Sequence, residues 1–255
     1  DGFTVGSEAR VNANNETHLG WNWKANGGTT VTNENGSIDS TVQANVDAGF
    51  SIVTYVGTGA NATVGHGLSK APDFMVAKSR SATGNWYSYQ GDGTKSMLFN
   101  TNAAQFSTSD KWNNSDTTAT LFSLGTEANI NADGNNHIAY CFHSVEGYSK
   151  IGSYTGNNAA DGTFVYLGFR PAWIMIKRSN ANEHWHILDN KRDPFNFVDI
   201  ELWASLSNAE SSGTERGDFL SNGFKIRGNN AGYNTSHNYI YMAFAEQPFK
   251  YANAR

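Results

Sequence analysis

A ten-residue stretch, Gly168-Phe169-Arg170-Pro171-Ala172-Trp173-Ile174-Met175-Ile176-Lys177, occurs twice in this 255-residue chain, the second time in weakened form over residues 67 to 78. Pro72, Phe74, Val76 and Lys78 stand where Pro171, Trp173, Met175 and Lys177 stand, and a tryptophan follows each copy, Trp86 or Trp185. Pro72 and Pro171, Lys78 and Lys177, and Trp86 and Trp185 are each 99 residues apart. A fixed period of that length means a duplicated module, and each copy is long enough to bury a core of its own.

The composition says what kind of module. Charged residues are 16 %, aromatics 13 %, and there are 26 glycines, which favours strands and turns over helices. In Trp173-Ile174-Met175-Ile176 both alternating sets are apolar, as expected of a central strand covered on both faces. Its proline belongs at the strand start, where a missing N–H is tolerated. Lys78 and Lys177 are expected to end their strands in solvent, and Trp86 and Trp185 to return on a partner strand as packing residues.

Three further segments align: His18 to Trp23, His137 to Phe142 and Tyr239 to Phe244. Leu19, Trp21 and Trp23 match Ile138, Tyr140 and Phe142, and these match Ile240, Met242 and Phe244. A period of two places each trio on one face, read as core. Gly20, Ala139 and Ala243 on the other face would let a neighbour approach. The expected fold is therefore all-β, with tandem antiparallel β-sandwich, jelly-roll-like modules at 48–146 and 147–255. Before them stand an orphan β-hairpin at 1–24, the end of a preceding module, and a polar linker or long loop at 25–47. The hairpin comprises strands at Phe3 to Val5, extending towards Val11, and at His18 to Trp23. It needs a sheet to join, and the chain reads as a processed product or the C-terminal part of a longer polypeptide. The offset changes from 98 at Gly49/Gly147 to 99 at Tyr55/Tyr154, which suggests a β-bulge inside that strand. Asp199 to Leu206 is the one stretch with helical character.

Chemistry is harder to find. A net charge of −5 and a pI of about 5.8 offer no basic field for nucleic acid. There is no apolar run of membrane-spanning length and no signal-peptide layout at Asp1-Gly2-Phe3-Thr4. The single Cys141 sits in an apolar strand and reads as a buried structural thiol. His184 and His186 share a strand face but lack a third metal ligand, so exposed strand residues is the simpler reading. Asn129 to Gly134 has the rhythm of a calcium loop without its acidic ends, and a polar turn explains it. Arg216-Gly217-Asp218 matches an adhesion tripeptide and is expected to be a loop. The Asn-x-Ser/Thr triplets at Asn15, Asn35, Asn61, Asn113 and Asn234 are expected from composition. Asp189, Asp193, Asp199 and Glu201, beside Lys191 and Arg192, read as a solvated loop with local ion pairs. No catalytic residue, cofactor or metal ligand is assigned. Trp112 and Trp203, in the parts where the copies differ (91 to 120 and 189 to 218), are the candidate sugar-stacking residues.

The Gly168 to Arg178 motif, the Gly147-Tyr148-Ser149-Lys150 opening and the C-terminal Tyr241-Met242-Ala243-Phe244-Ala245-Glu246-Gln247-Pro248-Phe249-Lys250 resemble a tandem β-domain of unknown function. That domain occurs in structural, tail-fibre-like or virion-surface proteins of marine tailed phages, cyanophages especially. The resemblance covers nearly the whole chain and implies a noncatalytic phage structural protein at the virion surface, as a tail-fibre or appendage or as capsid decoration, in contact with the host. Its expected partners are other virion proteins and copies of itself, in a homo-oligomer such as a trimer, together with host-surface polysaccharide. Neither nucleic-acid binding nor membrane insertion is expected. The alternative is a carbohydrate-binding, receptor-recognition module used in host attachment; a polysaccharide-degrading enzyme is least favoured.

Overall fold

The computed structural model describes residues 2–212 and 216–247, so Asp1 and, in the C-terminal motif, Pro248, Phe249 and Lys250 lie outside the described residues. The first half holds β1 (Val31–Asn33), β2 (Ser40–Asn45), β3 (Phe50–Val56), β4 (Ala62–Gly65), β5 (Phe74–Ser79), β6 (Tyr87–Tyr89), β7 (Lys95–Leu98), β8 (Phe106–Ser107), β9 (Leu121–Leu124) and β10 (Asn136–Phe142). The second holds β11 (Ser149–Thr155), β12 (Asp161–Tyr166), β13 (Pro171–Arg178), β14 (His186–Asp189), β15 (Glu201–Trp203), β16 (Gly217–Leu220), β17 (Gly223–Arg227) and β18 (Asn238–Ala245). Two four-residue helical turns, α1 (Ala9–Asn12) and α2 (Ala128–Asn131), are the helical elements among the described residues.

The large sheets run β1-β2-β3-β10-β5-β6-β7-β8 and β11-β18-β13-β14-β15, and the small ones β4-β9 and β12-β17-β16. Within the first, β3-β10-β5-β6-β7 repeats the order of the second, so the duplicated sequence folds as a duplicated all-β sandwich. β13 lies between β18 and β14. Ile174 and Ile176 enter its own module's core while Trp173 and Met175 enter an aromatic cluster shared by both modules. Pro171 opens the strand, beside a register shift opposite Ala245. Gly67 and Gly168, ahead of the prolines, have φ of +72° and +88°, a left-handed conformation that side chains disfavour.

Each module also repeats an internal latch. Tyr55 Oη donates to Ile130 O and Tyr154 Oη to Tyr233 O, both at 2.7 Å. Asn131, fully buried, donates to Ala60 O and Gly125 O and accepts from Thr58 N–H. Asn234 does the same towards Ala159 O, Gly228 O and Asn157 N–H. Fully satisfied buried amides of this kind fix loops that would otherwise leave backbone groups unpaired.

Several expectations change. Residues 2–24 form no strand, and α1 lies where the hairpin was expected; among the described residues no sheet edge pairs with them. Residues 25–47 are no linker: β1 and β2 extend the first large sheet next to β3. The trios are not the cores of single modules. Ala139 and Cys141 face the first module's core and Tyr241 and Ala243 the second's, whereas Phe142, Ile240, Met242 and Phe244 join Trp21 and Trp23 in the shared cluster. The small residues point inward because aromatic rings such as Phe122 and Phe224 occupy the same interiors. The extra residue of the second copy is not a bulge: β3 and β11 pair in unbroken register, and Tyr148 is inserted in the turn between Gly147 and Ser149. Lys177 does not end its strand in solvent but is wholly buried, with Nζ donating to Arg178 O at 2.7 Å. Residues 199 to 206 contain β15 in place of a helical turn.

The modules are tied along their junction. Asp73 Oδ2 accepts from both N–H and Oγ–H of Ser144, and Ser144 Oγ accepts from Ile151 N–H. Trp185, 1 % exposed, inserts its ring against Phe74 and Phe99 and donates from Nε1 to Leu98 O. Trp185→Ala should therefore cost about 3–5 kcal/mol and split a single calorimetric transition into two, one for each module.

Candidate functional site

The seam between the modules is aromatic. Phe142 and Phe244, equivalent residues of β10 and β18, have ring centroids 6.3 Å apart. Trp23 stands edge-on to Phe142, Trp173 and Phe244 at 6.3, 5.5 and 5.5 Å, and Trp21 to Trp173 at 6.3 Å. On the Trp185 side the seam narrows to a recess of about 230 Å³, lined by Asp73, Phe74, Ile151, Met175, Trp185 and Met242 among others. Where Trp21 and Trp23 bridge the two modules, a cleft of about 650 Å³ remains, walled by Trp23, Phe50, Trp86, Trp173, Trp203 and Leu206 among others. Trp86, the counterpart of Trp185, stays half-exposed and stacks on Tyr140 of its own module at 6.4 Å and 16°. A second groove, of about 530 Å³, shares Trp86 and Tyr140 with the cleft and adds Lys78 and Arg80. Apolar walls with aromatic faces and few polar groups bind by stacking and burial.

Behind Trp203 lies a buried polar cluster of the second module. Glu201, 3 % exposed, accepts from Tyr233 Oη at 2.6 Å, from Arg216 Nη2 and from His186 Nδ1 at 3.0 Å. The other ring nitrogen of His186 is 3.4 Å from Glu183 Oε1. Burial opposes charge on this imidazole, yet Glu183 and Glu201 together raise its pKa above the ordinary 6.5. The His186 hydrogen bond in turn holds Glu183 down at about 2. Burial pushes Glu201 up, but His186, Tyr233 and Arg216 outweigh it and keep its carboxyl below the usual range. Trp203 Nε1 lies 3.1 Å from the same His186 Nδ1. A charged imidazole donates that proton to Glu201, whereas the neutral tautomer with a free Nδ1 accepts from the indole. The charge state of His186 thus bears on a wall of the cleft.

The candidate residues fall in different places. Trp112 is 1 % exposed and edge-on to Tyr89, so it presents no face to a sugar. Trp203 is half-buried in the cleft wall. Pro72 is buried, with its carbonyl accepting from Thr117 Oγ1. Lys78, unlike Lys177, is half-exposed, with Nζ 5.5 Å from the Trp86 ring centroid. His184 bonds to Ser205 Oγ, and no group of three or more metal-ligating side chains occurs among the described residues. The polar turn at Asn129 to Gly134 is α2 and its flank, organised by Asn131. Arg216 and Asp218 are buried and paired with Glu201 and Arg227, so the adhesion tripeptide is not displayed. Asp189 is paired with Arg192, and Asp193 accepts from Asp199 N–H. Cys141 is buried, its thiol pushed up to about 12 by burial.

Sequence reasoning missed two things. Trp21 and Trp23 as cleft walls were signalled by the alternating trios, which were assigned to the wrong interior; Phe50 lies outside those trios. The Glu201–His186–Arg216–Tyr233 cluster gave no signal, because its members are scattered and do not repeat at the module period. The stabilisation that a charged His186 draws from Glu183 and Glu201 should be fully present below pH 6.5 and lost as pH rises through the raised pKa of folded His186. Lys177, lowered by burial to about 8 from 10.5, acts with opposite sign at higher pH: its burial penalty is relieved between about pH 8 and 10.5. The difference in thermal stability between wild type and His186→Gln, followed from about pH 6 upward, should shrink with rising pH; a constant difference would contradict the assignment.

No curated protein and no solved structure matches the chain. One family model does, over residues 1–248, and its description is a domain of unknown function, DUF7483. That span takes in both modules and the segment carrying Trp21 and Trp23, so the chain belongs to the DUF7483 family.

Proposed function

We propose that the protein is a noncatalytic structural component of a phage particle, displayed at the virion surface as part of a tail fibre or other appendage or on the capsid. The observation that carries this reading is the duplicated β-sandwich bound by an aromatic seam into which both modules and the N-terminal segment contribute. Such an arrangement suits a displayed, load-tolerant component better than an enzyme that must open. The resemblance of the Gly168 to Arg178 and Tyr241 to Lys250 sequence motifs to phage structural domains supports it. The candidate catalytic carboxylates Asp189, Asp193 and Glu201 are all engaged by protein donors, which favours a noncatalytic role. Its partners would be other virion proteins and further copies of this chain.

The cleft favours a second reading, carbohydrate binding for receptor recognition, with Trp86 and Trp203 rather than Trp112 as the stacking residues. Mass spectrometry of gradient-purified particles should find the chain at a fixed ratio to the other structural proteins, and antibody labelling should place it on the exterior. Particles of full infectivity that lack it would overturn the virion assignment.

A further inference from the structure

The groove beside the cleft has a chemistry that the cleft lacks. It is formed where β5 leaves its sheet, and Lys78, Arg80, Ser81, Thr83, Trp86 and Tyr140 face it, with no carboxylate in its walls. In a chain of net charge −5, two cations without an acid between them make a local positive field, strengthened by the concave, partly apolar setting. Lys78 Nζ sits over the Trp86 ring, 3.5 Å from Gly84 O, and among the described residues no carboxylate pairs with it or with Arg80. In the second module the equivalent Lys177 and Trp185 are both buried, and Trp185 donates to Leu98 O of the first.

The loop that carries Arg80 is held in place. Ser79 Oγ accepts from the N–H groups of Ser81 and Ala82, Ser81 Oγ accepts from Asn136 N–H, and Asn129 Oδ1 accepts from Asn85 N–H. Hydroxyl groups of Ser81 and Thr83 stand on the exposed rim. The groove thus combines an aromatic pair, a guanidinium, an ammonium and hydroxyls on a braced loop. A sugar ring has an apolar face to stack on Trp86 or Tyr140, and a carboxylate or sulfate on that sugar meets Arg80 and Lys78 through charge-assisted hydrogen bonds.

We propose that the groove formed by Lys78, Arg80, Trp86 and Tyr140 binds an acidic polysaccharide, stacking its rings and pairing its carboxylates or sulfates. This rests on the carbohydrate-binding reading above and names the ligand class. The test is binding of the whole chain to immobilised polygalacturonate and dextran sulfate, with uncharged dextran alongside. Both acidic polymers should bind and dextran should not. Arg80→Gln should weaken binding by about tenfold, as expected for one lost charge-assisted contact. Trp86→Ala should weaken it at unchanged net charge. Lys70→Gln, which removes an exposed lysine outside the groove, should change it little. Equal binding to dextran would overturn the acidic specificity while leaving carbohydrate recognition standing. Failure to bind any of the three would overturn both. Equal losses in Lys70→Gln and Arg80→Gln would show a diffuse charge effect and overturn the assignment to this groove.

Discussion

The contact on which the two-module arrangement depends is the meeting of Phe142, Phe244 and Trp23. Two equivalent strands present the same alternate residues, and neither module can bury that face alone; each supplies the other's missing layer. Edge-on ring pairs of this kind contribute about 0.5–1.5 kcal/mol each beyond the area they bury. More important, they have defined geometry, so the seam specifies an orientation as well as an adhesion. Trp185 and the Asp73–Ser144 clamp narrow one side to a recess of about 230 Å³, whereas the cleft beside Trp21 and Trp23 is about 650 Å³. The cleft and groove follow from that imbalance: the same sequence position is a buried plug in one copy, Trp185, and a half-exposed wall in the other, Trp86.

Sequence periodicity exposed the duplication because sandwich strands must repeat both their apolar pairs and their turn glycines. It placed β5, β10, β13 and β18, located the strand-opening Pro171 and read Cys141 as a buried thiol. It misassigned the inner face because a period of two says which residues share a side and nothing about which side is inner. Ile138, Tyr140 and Phe142 are bulkier than Ala139 and Cys141, so hydrophobicity pointed to them, but the true interior needed small residues opposite the rings of the second sheet. β1 and β2 escaped because their pairing is decided by the free edge of β3, a tertiary fact absent from the polar sequence of residues 25–47. Lys177 was placed in solvent because its type usually is; in the fold it is wholly buried, with its ammonium donating to the Arg178 carbonyl. Only half of the cleft was legible, Trp203 by its position in a variable segment, while Trp112, chosen on the same ground, is a core residue.

The copies have also diverged at their edges and interiors. In the first module β2 covers β3, whereas β11 ends its sheet in the second. There the preceding turn folds back on the strand: Val145 O accepts from Ser149 N–H and Ser144 Oγ from Ile151 N–H. A bare edge strand invites pairing with other chains, and these two bonds shorten the exposed run. The second module carries the buried Glu201–His186–Arg216–Tyr233 cluster, where removal of one member leaves the others uncompensated.

Asn234 has a consequence beyond its own loop. It is the acceptor residue of an Asn-Thr-Ser triplet, yet its amide is fully buried and both its nitrogen and its oxygen are engaged. An oligosaccharide attached there during synthesis would have to occupy the interior of the second sandwich, so the modified chain could not close the latch that the Tyr154–Tyr233 bond completes. The fold is therefore suited to assembly where asparagine-linked glycosylation does not precede folding, and production through a glycosylating secretory route would select against the native state at that one amide.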